Sequence, residues 1–114
     1  MAVSEMSAMN RGDIYWVNFD PSIGSEITKL RPAIIVSNNT SNSTLSRVQV
    51  VPLTSNISRI YPCEAIIFIK DTQSKAMADQ ITTVDKARIK KLIGVLNSQE
   101  LEKIDKILKL QLNL

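Results

Sequence analysis

Apolar and polar positions follow a period of two over much of the chain and change to a helical period only at its end. Ile14, Trp16 and Asn18 alternate with Tyr15, Val17 and Phe19, and the run stops at the turn pair Asp20-Pro21, which predicts a strand. Residues 21–30 have no period and read as a loop. Leu30 to Val36 is rich in β-branched residues and reads as a buried strand, with Pro32 biasing Arg31 toward an extended backbone. The small polar residues Asn39 to Ser46 read as a hairpin loop, and Arg47 to Thr54 as its returning strand. A polar turn over Ser55 to Ile60 precedes a strand over Tyr61 to Ile69, where Cys63, Ala65, Ile67 and Ile69 share one face. Lys70 to Lys75 reads as a turn, Ala76 to Val84 as a further strand, Asp85 to Arg88 as a short helical turn, and Leu92 to Leu96 as extended chain. Asn97 with Glu100 three residues on forms a capping box. Leu101, Ile104, Ile107, Leu108 and Leu112 follow at helical spacing, so an amphipathic helix is expected there. The expected fold is mainly β with helices (α+β): five or six short strands curled into a small barrel, with that helix packed on it.

A symmetric hairpin about residues 39–46 sets Ile34 opposite Val51, Asn38 opposite Arg47 and Arg31 opposite Thr54. Directly opposed residues share a face, with Cβ atoms about 4.5–5.5 Å apart, so a guanidinium and a hydroxyl would meet at one sheet end. An arginine fixed at a strand mouth is suited to holding a phosphate. Taken without its neighbour, Arg31 reads as an ordinary arginine at a strand start, solvated or paired with an acid. Glu26, in the preceding loop, is either a solvated acid or a proton acceptor brought over the site when the loop closes.

Composition narrows the chemistry. The 114 residues suit one domain, residues 10–114, behind a flexible leader at 1–9. That leader has neither a basic start nor a long apolar run, so neither a signal peptide nor a membrane span is expected. The single Cys63 cannot pair within the chain, which fits a cytoplasmic location, and its strand context favours a packed thiol over a nucleophile. Residues 86–114 carry seven Lys/Arg against three Asp/Glu, a basic face that permits an RNA partner without requiring one. The chain has no histidine, which removes an imidazole base and the commonest metal ligand. No Gly-rich phosphate loop or cysteine cluster is present, so no cofactor and no metal are expected. Arginine does not lose its proton, so Arg31 would act by stabilising charge on a phosphate. RNA fits this set, because its 2′-OH supplies the nucleophile that the chain lacks.

The ordered segments Arg11-Gly12-Asp13-Ile14-Tyr15-Trp16, Asp20-Pro21, Gly24-Ser25-Glu26, Arg31-Pro32-Ala33-Ile34-Ile35-Val36-Ser37, Val51-Pro52-Leu53-Thr54 and Ala78-Asp79-Gln80-Ile81 resemble the MazF/PemK toxins of type II toxin–antitoxin systems. The resemblance spans about residues 10–114. It implies an SH3-like barrel of five to seven strands, a homodimer, and metal-independent, sequence-specific cleavage of single-stranded RNA that leaves a 2′,3′-cyclic phosphate and a 5′-OH. By the same resemblance Arg31 stabilises the phosphorane, Thr54 holds a phosphate oxygen, and Glu26 is the loop carboxylate of the site. Asp79 and Gln80 fall in the RNA groove, as base readers or, in some members, as part of proton transfer, with Ser37 and Asn38 as further RNA contacts.

The implied partners are single-stranded RNA, a cognate antitoxin whose acidic tail competes for Arg31, and operator DNA bound only as the toxin–antitoxin complex. The competing reading is a non-enzymatic toxin or corepressor of the same fold that binds a protein target such as gyrase, or operator DNA together with the antitoxin, since fold does not fix function.

Overall fold

The computed structural model describes residues 9–21, 23–26 and 29–114. Its strands are β1 (Asp13–Asn18), β2 (Leu30–Ile35), β3 (Arg47–Thr54), β4 (Glu64–Ile69), β5 (Thr72–Met77), β6 (Thr82–Asp85) and β7 (Ile89–Val95). Helix α1 (Asn39–Thr44) lies between β2 and β3, and α2 (Ser98–Leu112) ends the chain. Short 3-10 turns, Ala78–Gln80 and Lys86–Arg88, flank β6. All strand pairs are antiparallel, in the order β4-β5-β3-β2-β1-β7, with β6 also paired to β3. The expected curled sheet with a terminal helix is present, with seven strands where the periodicity indicates five or six.

Each face of the curled sheet carries its own core. On one face Ile14, Ile34, Val51, Leu53 and Ile67 pack against Ile104 and Ile107 of α2. On the other, Val17, Ala33, Ile35, Val48, Val50, Val84 and Ile89 close on one another. Strands buried on both faces explain why Ala33 to Val36 reads as a continuous apolar run without alternation. Met9, counted with the leader from the sequence, is 5% exposed in the second core. Residues 1–8 lie outside the described residues.

Helix α2 begins as expected. Asn97 Oδ1 accepts from Glu100 N at 2.8 Å, and Glu100 Oε1 accepts from Asn97 N at 3.2 Å. The other oxygen of Glu100 accepts from Phe68 N at 2.9 Å, which covers the outer edge of β4 with a helix side chain.

Two strand starts shift, β4 from Tyr61 to Glu64 and β7 from Leu92 to Ile89, and three further local expectations change. The 39–46 loop contains a helix, because its small polar side chains serve as caps: Asn38 Oδ1 accepts from Ser41 N at 2.8 Å, and the fully buried Asn42 donates to Ser37 O at 2.9 Å. The turn expected over Lys70 to Lys75 is confined to Lys70 and Asp71, since Ile69 already pairs with Thr72. Lys70 takes a positive φ of 56° there, and the polar run after it is strand β5. The strand expected over Ala76 to Val84 is broken in two. Leu53 pairs with Ala76 and Val50 with Thr82, so three residues of β3 are matched by six of its neighbour. The excess equals the three-residue turn Ala78–Gln80, which lifts Asp79 and Gln80 out of the ladder.

Candidate functional site

The hairpin register is the predicted one where the ladder exists, with Ala33 opposite Pro52, Ile34 opposite Val51 and Ile35 opposite Val50. The ladder stops there. The next hydrogen-bonded pair would set Pro32 against Leu53, and Pro32 has no N–H to donate, so the pairing of β2 with β3 ends at Ala33. A cleft of about 230 Å³ fills the gap, lined by Trp16, Lys29, Leu30, Arg31, Pro32, Leu53, Thr54, Ser55 and Ser74. Arg31 and Thr54 thus share a cleft but are not a ladder pair, which leaves room for a ligand between their strands. Arg31 is half-buried and is positioned on its other side by β1, opposite Val17. Thr54 is paired with Lys75 of β5, and its Oγ1 accepts from Asn56 N at 3.2 Å.

Glu26, Asp79 and Gln80 line a different space of about 400 Å³, together with Thr82, Thr83 and Arg88. Glu26 Oε1 accepts from Ile23 N at 2.8 Å, so its carboxylate folds back on its own loop. Gln80 Nε2 donates to Ser25 O at 3.4 Å, which docks that loop on the 3-10 turn. The loop is closed at its base: Phe19 N donates to Lys29 O at 2.9 Å and Lys29 N to Asp20 Oδ1 at 2.8 Å. Arg88 braces the same base by donating to the carbonyl of Asn18 at 3.0 Å and to that of Asp20.

Ser37 and Asn38 lie apart from both spaces, in a depression bordered by Arg11, Gln49 and the end of α2. Asn38 does not face Arg47; it is the cap of α1. Ser37 is buried, donates its hydroxyl to Asn42 Oδ1 and accepts from Gln49 N at 3.1 Å, which gives it a structural task not anticipated from sequence.

Two groups escaped the sequence reading. Arg88 reads only as part of a basic segment, yet it brings a guanidinium to the Glu26 and Asp79 space. Lys75 falls in a stretch read as a turn, yet it is 8% exposed and paired with Glu64 at 3.1 Å. Its Nζ also donates to Arg59 O at 2.9 Å and stands 5.9 Å from the centre of the Tyr61 ring. A buried lysine needs such a partner, and the nearest sequence clue is Glu64 on the facing strand. Among the described residues no group of three or more His, Cys, Asp or Glu is placed to hold a metal ion.

Residues 10–112 match the family of PemK-like, MazF-like toxins of type II toxin–antitoxin systems. The chain is 39% identical over 115 residues to the endoribonuclease MazF9 of Mycobacterium tuberculosis, covering 93% of this chain and 98% of that protein. An endoribonuclease solved in complex with its cognate antitoxin, from a mycobacterial species, superposes with a TM-score of 0.80 at 27% identity, over 94% of this chain and 97% of that one. MazF from Deinococcus radiodurans shares the fold with a TM-score of 0.81 at 24% identity, over 92% of this chain and 96% of that one.

Proposed function

Because the chain belongs to the PemK-like, MazF-like toxins of type II toxin–antitoxin systems, we propose that it is a sequence-specific endoribonuclease toxin acting on single-stranded RNA. The observation that carries this reading is the cleft between β2 and β3, which joins a guanidinium to a hydroxyl at a point where the sheet is open.

In this reading the substrate supplies the nucleophile. The 2′-oxygen attacks the adjacent phosphorus and gives up its proton; the bond from phosphorus to the 5′-oxygen breaks, and that oxygen takes a proton from solvent, to which the proton released by the 2′-OH returns. The products are a 2′,3′-cyclic phosphate and a 5′-OH, and no water is consumed. Negative charge grows on the non-bridging oxygens in the transition state, and Arg31 offers planar N–H donors to them. The Thr54 oxygen already accepts from Asn56 N, so its hydroxyl hydrogen points elsewhere, toward a phosphate oxygen in the cleft. Glu26 receives the 2′-OH proton once its loop moves from the neighbouring space to the cleft. Asp79 and Gln80, lifted from the ladder, contact the RNA beside it.

The cognate antitoxin inhibits by occupying the same cationic cleft with an acidic segment, since both ligands are anions. A homodimer fits the exposed Leu110, Leu112 and Leu114 at the end of α2. Sedimentation of the purified chain as a monomer at micromolar concentration would remove that part.

The test is cleavage of one long single-stranded RNA by purified protein in excess chelator, with the ends of the fragments analysed. Discrete cuts ending in cyclic phosphate and 5′-OH are expected. Cutting that needs added Mg²⁺, or fragments with 5′-phosphate ends, would overturn the mechanism.

A further inference from the structure

The cleft at the end of the β2–β3 ladder is lined by two basic residues, Lys29 and Arg31, and among the described residues by no acidic one. The whole chain sets 14 basic residues against 11 acidic ones, so two cations without an acid in one small space are a local concentration of charge. Ser74, in the same lining, is 6% exposed, and its hydroxyl has no hydrogen-bond partner among the described residues. No fully enclosed side-chain oxygen or nitrogen there lacks a partner, so the Ser74 oxygen opens on the cleft. A free hydroxyl donor beside two cations suits an oxyanion.

Lys29 stands at this cleft at a conformational cost. Its φ is 67°, in the left-handed region where a Cβ is crowded. Lys70 and Asn113 share that conformation, but they close a hairpin turn and a helix end, where it is a common solution. Lys29 is instead clamped in an open loop: its N–H donates to Asp20 Oδ1 at 2.8 Å, and its carbonyl accepts from Phe19 N at 2.9 Å. Glycine would make both bonds at the same φ without strain, so what the lysine adds lies in its side chain. That side chain is exposed and makes no ion pair with any described residue. The two acids of the loop are turned to backbone N–H groups, Asp20 to that of Lys29 and Glu26 to that of Ile23.

We propose that Lys29 is a second phosphate-binding cation of the cleft, holding the RNA strand while Arg31 meets the charge that develops during cleavage. The proposal rests on the ribonuclease reading and adds to it a residue that binds without reacting. A lysine is a flexible point charge suited to a phosphate in the ground state, whereas the planar guanidinium fork fits the crowded oxygens of the transition state.

The test measures KM and kcat on a mapped single-stranded RNA over a range of salt for the wild-type protein, Lys29→Gly, Lys29→Gln and Lys29→Arg. Lys29→Gly is expected to unfold in urea no earlier than the wild type, while its KM rises about fivefold or more at low salt. Its kcat stays within about twofold, and the plot of log KM against the logarithm of salt concentration becomes shallower by about 0.7. Lys29→Gln behaves in the same way, and Lys29→Arg recovers the wild-type slope. Wild-type KM and slope in Lys29→Gly and Lys29→Gln would overturn the proposal. So would a raised KM with an unchanged slope, which assigns the loss to loop geometry. Should the wild-type protein cut no RNA, the ribonuclease reading fails, and Lys29 is judged by the anisotropy of a fluorescein-labelled single-stranded RNA. Binding whose salt slope drops in Lys29→Gly supports the phosphate site; binding indifferent to Lys29, or none, overturns it.

Discussion

Arg31 and Thr54 both line the cleft at the end of the β2–β3 ladder, beyond the Ala33–Pro52 pair. Their relation depends on Pro32 ending a ladder, so the cleft is a product of a missing donor as much as of the groups it displays. Arg31→Ala is expected to lower the cleavage rate by about 100- to 1000-fold, the usual cost of one oxyanion donor. Arg31→Lys should recover little, because a point charge does not reproduce the planar fork. Thr54→Ser should retain more activity than Thr54→Val, which keeps the shape and loses the hydroxyl. Initial rates on a mapped RNA, with circular dichroism to verify folding, check all three. Near wild-type cutting by folded Arg31→Ala would end the mechanism.

The Lys75–Glu64 pair is buried on both sides, and removing one partner strands the other charge. Lys75→Met is expected to destabilise the fold by roughly 3–5 kcal/mol, and adding Glu64→Leu to restore much of that loss. Urea unfolding of the single and double variants measures it. A double variant no more stable than the single one would mean that the lysine stem, not its charge, matters at this position.

At the helix, Asn97→Ala removes one half of the capping box and should cost about 1 kcal/mol. Ile104→Ala empties a fully buried position between α2 and the sheet and should cost about 2–5 kcal/mol. Thermal and urea denaturation rank the two. Equal losses would show that α2 contributes through its cap and not through its buried face.

Partial burial, and after it the carboxylates of Asp79 and Glu64, hold the Cys63 thiol above the ordinary thiol range. Alkylation by iodoacetamide should therefore begin at a higher pH in the folded protein than in the urea-unfolded chain, and Asp79→Asn should move the folded midpoint down. The linked stability has a definite sign. A raised thiol pKa contributes in full below the unfolded value and is lost as pH rises through the folded one, so the protein weakens in alkaline solution. Identical alkylation profiles for folded and unfolded chains would contradict this assignment.

How far the residues alone carried the reading differs from place to place. Strands β1 to β4, the capped terminal helix and the 34–51 register follow from periodicity, caps and turn residues, which are local signals. Polar stretches misled where long-range contacts satisfied them. Asn39–Thr44 is helical because Asn38 and Asn42 find partners at its N-terminal side, and the Thr72–Lys75 stretch is strand because Lys75 meets Glu64 across the sheet. The family membership was legible in the order of short segments, although each is weak by itself.

Sequence alone determined that this chain is a small β fold with a terminal helix, has no histidine for its chemistry, and sets Arg31 and Thr54 at neighbouring strand ends. Tertiary structure decided the rest: that those ends part into a cleft, that Glu26 shares a space with Asp79, Gln80 and Arg88 instead of Arg31, and that Lys75 is buried against Glu64. The physical reason is range. Period, caps and proline act within a few residues of themselves, whereas a ladder's end, a pocket's walls and a buried ion pair depend on which distant strands the fold brings together.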